Sequence, residues 1–513
     1  MTEETASHTT AWAAALAGVL AGTAGLAVAE LVAAVVAPGA STLFAGGAAV
    51  IDAAPPWLKD FAVESFGTAD KAVLLGSMGV VLALGAAAAG LLELRRPPWG
   101  AGLFGLVGIV GALIAILRPD ATATWAVPSL VGIATSILVL RLAIRRLRLR
   151  PAPDAPEDAA GMDRRGFLLV AGAAAGTTVL ALAGARLLSA GATAVKAARE
   201  TLRLPAPRTL APPAPADPPI AGLTPYVTPT ADFYRIDTAL RIPQLDPADW
   251  SLRVHGMVDA PFTLTWDELL ALPLEEHHAT LACVSNEVGG DLIGNALWLG
   301  HPIRNLLERA RPRAGADMVL SRSSDGFTAG TPLEVLRDPA RASLLAIGMN
   351  GAPLPVIHGF PARLVVPGLY GYVSATKWVT SLKVTTFAED QGYWTPRGWS
   401  ALGPIKVQSR IDVPRGPVSA GAVTVAGVAW AQHTGIGGVE VRADSGAWVP
   451  TRLADTVGPD TWRQWSVSLP LDRGEHTLEV RATDAEGRVQ TDAKAPPAPD
   501  GATGWHRVSV VAR

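Results

Sequence analysis

The stretch HHATLACVSNEVGGDLIGN, residues 277–295, holds the single cysteine of a 513-residue chain, Cys283. One thiol cannot close an intrachain disulfide, so it is a reactive nucleophile, a thiolate metal ligand, or an inert packing residue. A nucleophile needs an imidazole to activate it, and His277, His278 and His358 are available, but no nucleophile-type context surrounds Cys283. A blue-copper site would need two histidines and a weak axial ligand, and the spacing singles none out. Inert packing is the default for a free cysteine.

The elements that must position this thiol lie in a chain long enough for about three domains. A formal charge of -2 excludes a strong electrostatic preference for nucleic acid. The apolar share is 49%, concentrated toward the N-terminus, which divides the chain into a membrane part and a soluble part.

Apolar runs over 10–37, 72–92, 101–117, 124–140 and 166–188 match the roughly 20 residues that a helix needs to cross a bilayer. Arg95 and Arg96 follow the second run, and Arg145, Arg146, Arg148, Arg150, Arg164 and Arg165 lie between the fourth and fifth. The segment 38–71 instead carries Asp52, Asp60, Glu64 and Asp70 against Lys59 and Lys71. Because short cytoplasmic loops hold the Lys/Arg excess, the N-terminus is expected inside and everything after residue 188 outside, as a multi-pass cell-membrane protein with an extracytoplasmic soluble half. The spans carry no histidine pair for a haem and, apart from Glu30, almost no ionisable residue, so neither an electron wire nor an ion pathway is indicated. Residues 162–176, MDRRGFLLVAGAAAG, resemble a twin-arginine export signal placed internally.

These features predict a four-helix transmembrane region over 1–161 and the signal with a fifth helix over 162–200. A stiff Pro-rich linker follows over 201–222, within which residues 204–219 read LPAPRTLAPPAPADPP. Helical patterns such as WDELLALP and IRNLLERA mix with β-like runs such as WSLRVHG, DMVLSRSS and ARLVVPG over 223–401, an α+β domain. Residues 402–513 alternate with period two in roughly seven short runs broken by Gly, Asp or Pro, the pattern of an all-β, immunoglobulin-like sandwich. RADSGAW within it reads as a hairpin turn.

The motifs TLACVSNEVGG, IGNALWLG, SSDGFT, MNGAPLPVIHGFPARLVVPGLYGYVSATKW and GYWTPRGW follow one another in an order and spacing that resembles the molybdopterin domain of the sulfite oxidase family. The final region, opening with IKVQSRIDVPRGPV, is similar to that family's dimerisation domain. The resemblance implies a molybdenum-molybdopterin cofactor with Cys283 as the protein thiolate on the metal, a soft ligand for a soft-ligand centre. It implies that Arg235, His358, Arg363 and Lys377 hold the cofactor, which needs fixed cations and planar donors, with Asn286, Ser374 and Thr376 as further candidates. Tyr370 or Tyr372 is expected to hydrogen-bond near the metal.

The chain departs from that family's pattern where an arginine is expected soon after the cysteine, since Asn286, Glu287 and Val288 stand there. Asp237 replaces a histidine two residues after Arg235, and Trp399 replaces a tyrosine. The expected activity is two-electron oxygen-atom transfer, either oxidation of a sulfite-like oxyanion or reduction of a sulfoxide or N-oxide. A membrane-tethered binding or assembly module that keeps the fold without turnover is the rival, motivated by the missing arginine. Neither a haem-attachment motif nor an iron-sulfur cysteine cluster occurs, so the expected partners are a small-molecule substrate and a separate cytochrome or quinone-linked electron carrier, with a homodimer through the sandwich.

Overall fold

Alanine- and leucine-rich runs with few helix breakers bury little polar side-chain surface and satisfy their backbone internally, so they become long helices. The computed structural model describes residues 3–36, 38–55, 58, 61, 65–66, 70–118, 121–148, 157–188 and 191–513. It divides into two units, Met1–Thr193 and Ala194–Arg513.

The first unit contains α1 (Glu3–Val36), α2 (Thr42–Ala53), α3 (Asp70–Arg95), α4 (Trp99–Ile116), α5 (Val127–Arg148) and α6 (Glu157–Leu188). Among the described residues, five stretches are long and apolar enough to span a membrane: Thr10–Val36, Lys71–Arg95, Trp99–Ile116, Ala123–Arg148 and Leu168–Ala185. The segment read as a plain connection after the first span instead forms α2, N-capped by Ser41, whose Oγ accepts the Phe44 N–H at 3.3 Å. At 1.5 Å per residue this helix reaches only about 18 Å, too short for a bilayer core of about 30 Å. Lys59, Asp60 and Glu64 of that segment, and Arg150, lie outside the described residues.

The acids among these helices cap their neighbours. Glu30 accepts Ser41 Oγ at 2.8 Å on both carboxylate oxygens and the Leu43 N–H at 3.3 Å, at the start of α2. Glu93 accepts the Ala101 N–H at 2.9 Å in the first turn of α4. Each carboxylate satisfies donors that a helix N-terminus leaves open in apolar surroundings. Small residues let the helices close up: a Cβ on Gly18 of α1 would stand 2.0 Å from the Ala86 carbonyl oxygen of α3.

The second unit begins within α7 (Gly191–Thr201). Arg199 Nε and Nη2 donate to the carbonyls of Leu354 and Pro353 at 2.7 and 2.9 Å. The proline-rich stretch that follows is extended but does not hang free. Its Arg208 N–H donates to Leu274 O at 2.7 Å, and its Thr209 carbonyl accepts the Glu276 N–H at 2.9 Å. A segment rich in proline has few N–H groups to satisfy and can lie along a strand edge at low entropic cost.

Two sheets then follow. The strands are β1 (Ser251–Gly256), β2 (Phe262–Thr265), β3 (Glu275–Ala282), β4 (Ile293–Pro302), β5 (Met318–Ser323), β6 (Thr328–Pro332), β7 (Leu344–Met349), β8 (Ala352–Pro353), β9 (Arg363–Val365) and β10 (Val379–Thr385). One sheet runs β2-β1-β10-β5-β6, with β1 and β10 parallel and the other pairs antiparallel. The other runs β3-β4-β7-β8, with β9 also on β7. Helices α8 (Trp266–Ala271) and α9 (Ile303–Ala310) are the two helical patterns legible in the sequence, the first started by a Thr265/Glu268 capping box. Leu269 of α8 and Ile303, Leu306 and Leu307 of α9 enter the same apolar core as Leu252, Val254 and Leu382.

From residue 408 the chain is all β, with eight strands against about seven read from the alternation. Gln408–Val413, Gly421–Trp430, Arg463–Leu471 and Arg452–Leu453 form one four-stranded sheet. Val449–Pro450, Ile436–Ala443, Gly474–Asp484 and His506–Ala512 form the other, and side chains of both sheets share one apolar cluster. The RADSGAW turn joins two strands that pair with Val441 opposite Val449.

Candidate functional site

Cys283 follows β3 directly, at the base of the loop that leads into β4, where Ala282 pairs with Ile293. Hydrogen bonds close this loop on itself. The Cys283 N–H donates to Leu292 O at 2.9 Å, and Asn286 Oδ1 accepts the Leu292 N–H at 2.8 Å. The Asn286 N–H returns to Cys283 O at 3.1 Å. From the C-terminal region, Arg410 Nη1 donates to Gly290 O at 2.7 Å and braces the loop from outside.

Three further segments converge on the thiol. His358 ends a short 3-10 turn, Arg363 opens β9, and Lys377 precedes β10, so two sheets deliver the ends of HGFPAR and SATKW to one cavity. Gly359 between them has φ +114°, and a Cβ there would meet Arg363 Cβ at 2.9 Å, so only glycine lets the two segments approach. The wrapping segment 233–238 supplies the fourth wall, with Phe233, Tyr234 and Asp237 lining the cavity beside Cys283.

Two basic side chains, Arg363 and Lys377, line the cavity, and of these only Lys377 has a carboxylate partner among the described residues. Arg363 is 5% exposed and donates only to the carbonyls of Leu364, His358 and Ala375, at 3.3, 3.2 and 3.5 Å. Among the described residues it has no carboxylate partner, and burial drives its guanidinium down to about 10. Burial, with Arg363 and Lys377 close by, pushes His358 down to about 4, so its imidazole is neutral near pH 7. Its Nε2 is buried and has no hydrogen-bond partner among the described residues. Lys377 Nζ donates to Asp237 Oδ2 at 2.7 Å and to Ile357 O at 3.3 Å. Burial pushes Lys377 down to about 8, against the opposing pull of Asp237. Burial also raises the Cys283 thiol, while hydrogen bonds from Ser285 and the Lys377 charge act to lower it.

Cys283, His358, Arg363, Lys377 and Tyr372 of the residues singled out from sequence line this one cavity. Tyr372 donates its hydroxyl to Ser400 O at 2.8 Å, and its ring lies 5.9 Å from that of Trp399, another wall of the cavity. Arg235, Asn286, Tyr370, Ser374 and Thr376 stand behind the wall. Arg235 is held outside by Asp237, Nε to Oδ2 at 2.8 Å. Ser374 Oγ donates to the Tyr370 carbonyl at 2.9 Å, and Thr376 Oγ1 shares a hydrogen bond with Ser321 Oγ at 2.7 Å. Tyr370 is 3% exposed and pushed up to about 12 by burial. Phe233, Tyr234, Asp325, Phe327 and Trp394 also line the cavity, and sequence reasoning did not single them out. DFYRID and GYWTPRGW carried a usable signal in their density of aromatic residues, since aromatics so close to candidate cations build pocket walls.

Residues 239–394 match the sequence profile of the oxidoreductase molybdopterin binding domain, which covers most of the cavity and makes this chain a molybdopterin-binding oxidoreductase by class. An uncharacterized oxidoreductase of Bacillus subtilis (strain 168), YuiH, is 34% identical over 158 residues, covering 31% of this chain and 76% of that protein. Human mitochondrial sulfite oxidase is 30% identical over 334 residues, covering 55% of this chain. The chain belongs to the sulfite oxidase family of molybdopterin-dependent oxidoreductases, whose cofactor is molybdenum-molybdopterin. It spans 60% of the length of the mammalian sulfite oxidases it matches. Among solved structures, the sulfane dehydrogenase SoxCD from Paracoccus pantotrophus aligns with a TM-score of 0.49 and 23% identity, over 56% of this chain and 82% of that one.

The residues present fit that cofactor. A buried arginine without a carboxylate and a buried imidazole nitrogen without a partner are both costly unless an anionic, hydrogen-bonding group meets them. A thiol at the same cavity completes a donor set for a soft metal bound to an anionic pterin.

Proposed function

We propose that this protein is a membrane-anchored molybdenum oxidoreductase whose catalytic domain lies on the extracytoplasmic side and transfers an oxygen atom with two electrons. The reading rests on one observation above others: Cys283 shares a cavity with Arg363, which is buried and has no carboxylate partner among the described residues. When bound, the molybdenum centre supplies the two-electron couple. Cys283 holds the metal through its sulfur, and metal binding offsets the burial that otherwise keeps the thiol protonated. Arg363 and Lys377 would hold the anionic group of the pterin, and His358 Nε2, which has no hydrogen-bond partner among the described residues, would be available to its polar atoms. Asn286 and Arg410 fix the Cys283 loop, while Ser374 and Thr376 hold the backbone behind Lys377. The aromatic rings of Trp394 and Trp399 exclude water from the reacting face.

Five spans, basic segments after the second and fourth, and the Arg164–Arg165 pair support an inside N-terminus and an exported catalytic half. Cofactor insertion before export suits a twin-arginine route, because the loaded domain would cross already folded. The C-terminal region is proposed to be immunoglobulin-like and to mediate a homodimer, and a separate cytochrome or quinone-linked carrier completes the electron path.

Metal and pterin analysis tests the reading. Purified protein from a host that makes the cofactor is expected to carry near-stoichiometric molybdenum, and Cys283→Ser to abolish turnover. Wild-type protein without molybdenum, or unchanged cofactor-dependent turnover in Cys283→Ser, would sink it. The former result would also favour the binding-module alternative.

A further inference from the structure

Asp237 stands between two basic groups, Lys377 of the cavity wall and Arg235 behind it. Its side chain is 4% exposed, and Oδ2 accepts both Lys377 Nζ at 2.7 Å and Arg235 Nε at 2.8 Å. Its Oδ1 accepts Arg235 Nη2 at 3.3 Å. A second acid, Asp325, lines the same cavity. Among the described residues, two acidic side chains, Asp237 and Asp325, line it against two basic ones, Arg363 and Lys377, with His358 neutral. The cavity has no net positive charge before a metal-bound thiolate and an anionic pterin add their own negative charge.

The neighbouring segment offers no compensation. Where an arginine was expected soon after the cysteine stand Asn286, whose Oδ1 accepts the Leu292 N–H, Glu287, which is exposed, and Val288. What the cavity presents instead is aromatic surface from Phe327, Tyr372, Trp394 and Trp399. Such rings gain most from covering apolar groups.

We infer that Asp237 is a specificity-determining residue that filters substrates by charge. Held by Asp237, Lys377 and Arg235 are withdrawn from any doubly negative oxyanion, and the cavity takes an uncharged substrate whose carbon substituents pack on the four aromatic rings. This inference deepens the functional reading above and depends on its placement of the cofactor.

Inorganic sulfate serves as the dianionic probe and dimethyl sulfoxide as the uncharged one, each titrated calorimetrically into purified full-length protein of measured molybdenum content. Wild type is expected to bind dimethyl sulfoxide more tightly than sulfate. Asp237→Asn releases Lys377, which lines the cavity, from its carboxylate, and is expected to tighten sulfate binding by about tenfold or more. Asp237→Glu keeps the charge and the wild-type preference. Asp325→Asn removes a carboxylate without unpairing Lys377, and its gain is expected to be several-fold smaller. Equal sulfate affinity in wild type and Asp237→Asn overturns the inference, as does wild-type preference for sulfate. Should Asp237→Asn fail to fold, the wild-type preference decides alone. Wild-type protein lacking molybdenum overturns the functional reading instead, whereas equal sulfate affinity of the two molybdenum-loaded proteins overturns the filter alone.

Discussion

Asn286 Oδ1 accepts the Leu292 N–H at 2.8 Å and thereby ties the two ends of the loop that carries Cys283. Asn286 is 5% exposed, so its amide acts on the loop and not on solvent. Asn286→Ala leaves the half-buried Leu292 donor without its partner, at a cost of about 1 kcal/mol. Denaturant unfolding should show that loss, and metal analysis a lower molybdenum content. Asn286→Asp keeps an acceptor in place and should recover most of the stability.

Arg363 makes the opposite trade. Buried without a carboxylate and driven down to about 10, it does little for the apoprotein. Arg363→Met should leave apoprotein stability within about 1 kcal/mol of wild type, since an apolar side chain replaces a buried charge. Pterin retention through gel filtration should fall sharply. A large stability loss with normal pterin content would reverse this assignment.

Lys377 gives the pH signature. Burial lowers its folded value to about 8 from an ordinary 10.5, so between those values the unfolded chain holds the extra proton. The contribution of Lys377 to stability therefore rises with pH across that window, and its full penalty applies below it. Cofactor retention runs the other way, because deprotonation removes a cation from the cavity. Pterin release measured from about pH 7 to about pH 9 should accelerate, and Lys377→Met should abolish that dependence.

Asp460 joins the catalytic region to the C-terminal sheets. It accepts from His277 Nε2 at 2.8 Å and His433 Nδ1 at 3.2 Å, and its carbonyl takes the Thr280 N–H at 2.9 Å. Burial alone would raise this carboxyl, but the two histidine hydrogen bonds outweigh it and hold it below the usual carboxylate range. Its contribution is present above the ordinary value of 3.8 and is lost as pH falls through the lower folded value. Thermal midpoints should drop below about pH 4, and Asp460→Asn should flatten that drop while costing about 1–3 kcal/mol at neutral pH.

Much of the architecture was legible because it follows from local pattern. Uniform apolar runs announced the five long helices, and period-two alternation announced the C-terminal strands. The short helix α2 escaped because its acidic and glycine-rich surroundings read as a connection. The proline-rich stretch was read as a spacer, since composition predicts extension but not the strand edge of β3 on which it lies. At the site, motif order brought out Cys283, His358, Arg363 and Lys377, all of which line one cavity. It could not separate these from Tyr370, Ser374 and Thr376, which lie a few residues away in the same motifs and face the protein interior.

By itself the sequence determined the helices, the β-rich end and the presence of one thiol among cation-bearing motifs, because helix length, alternation and residue type are properties of neighbouring residues. Only the tertiary structure decided that Asp237 reaches across from the wrapping segment to take Lys377, 140 positions further along the chain. That pairing depends on β1 lying parallel beside β10 and on β9 joining β7, contacts between distant strands that no local pattern specifies, and it sets the charge of the cavity.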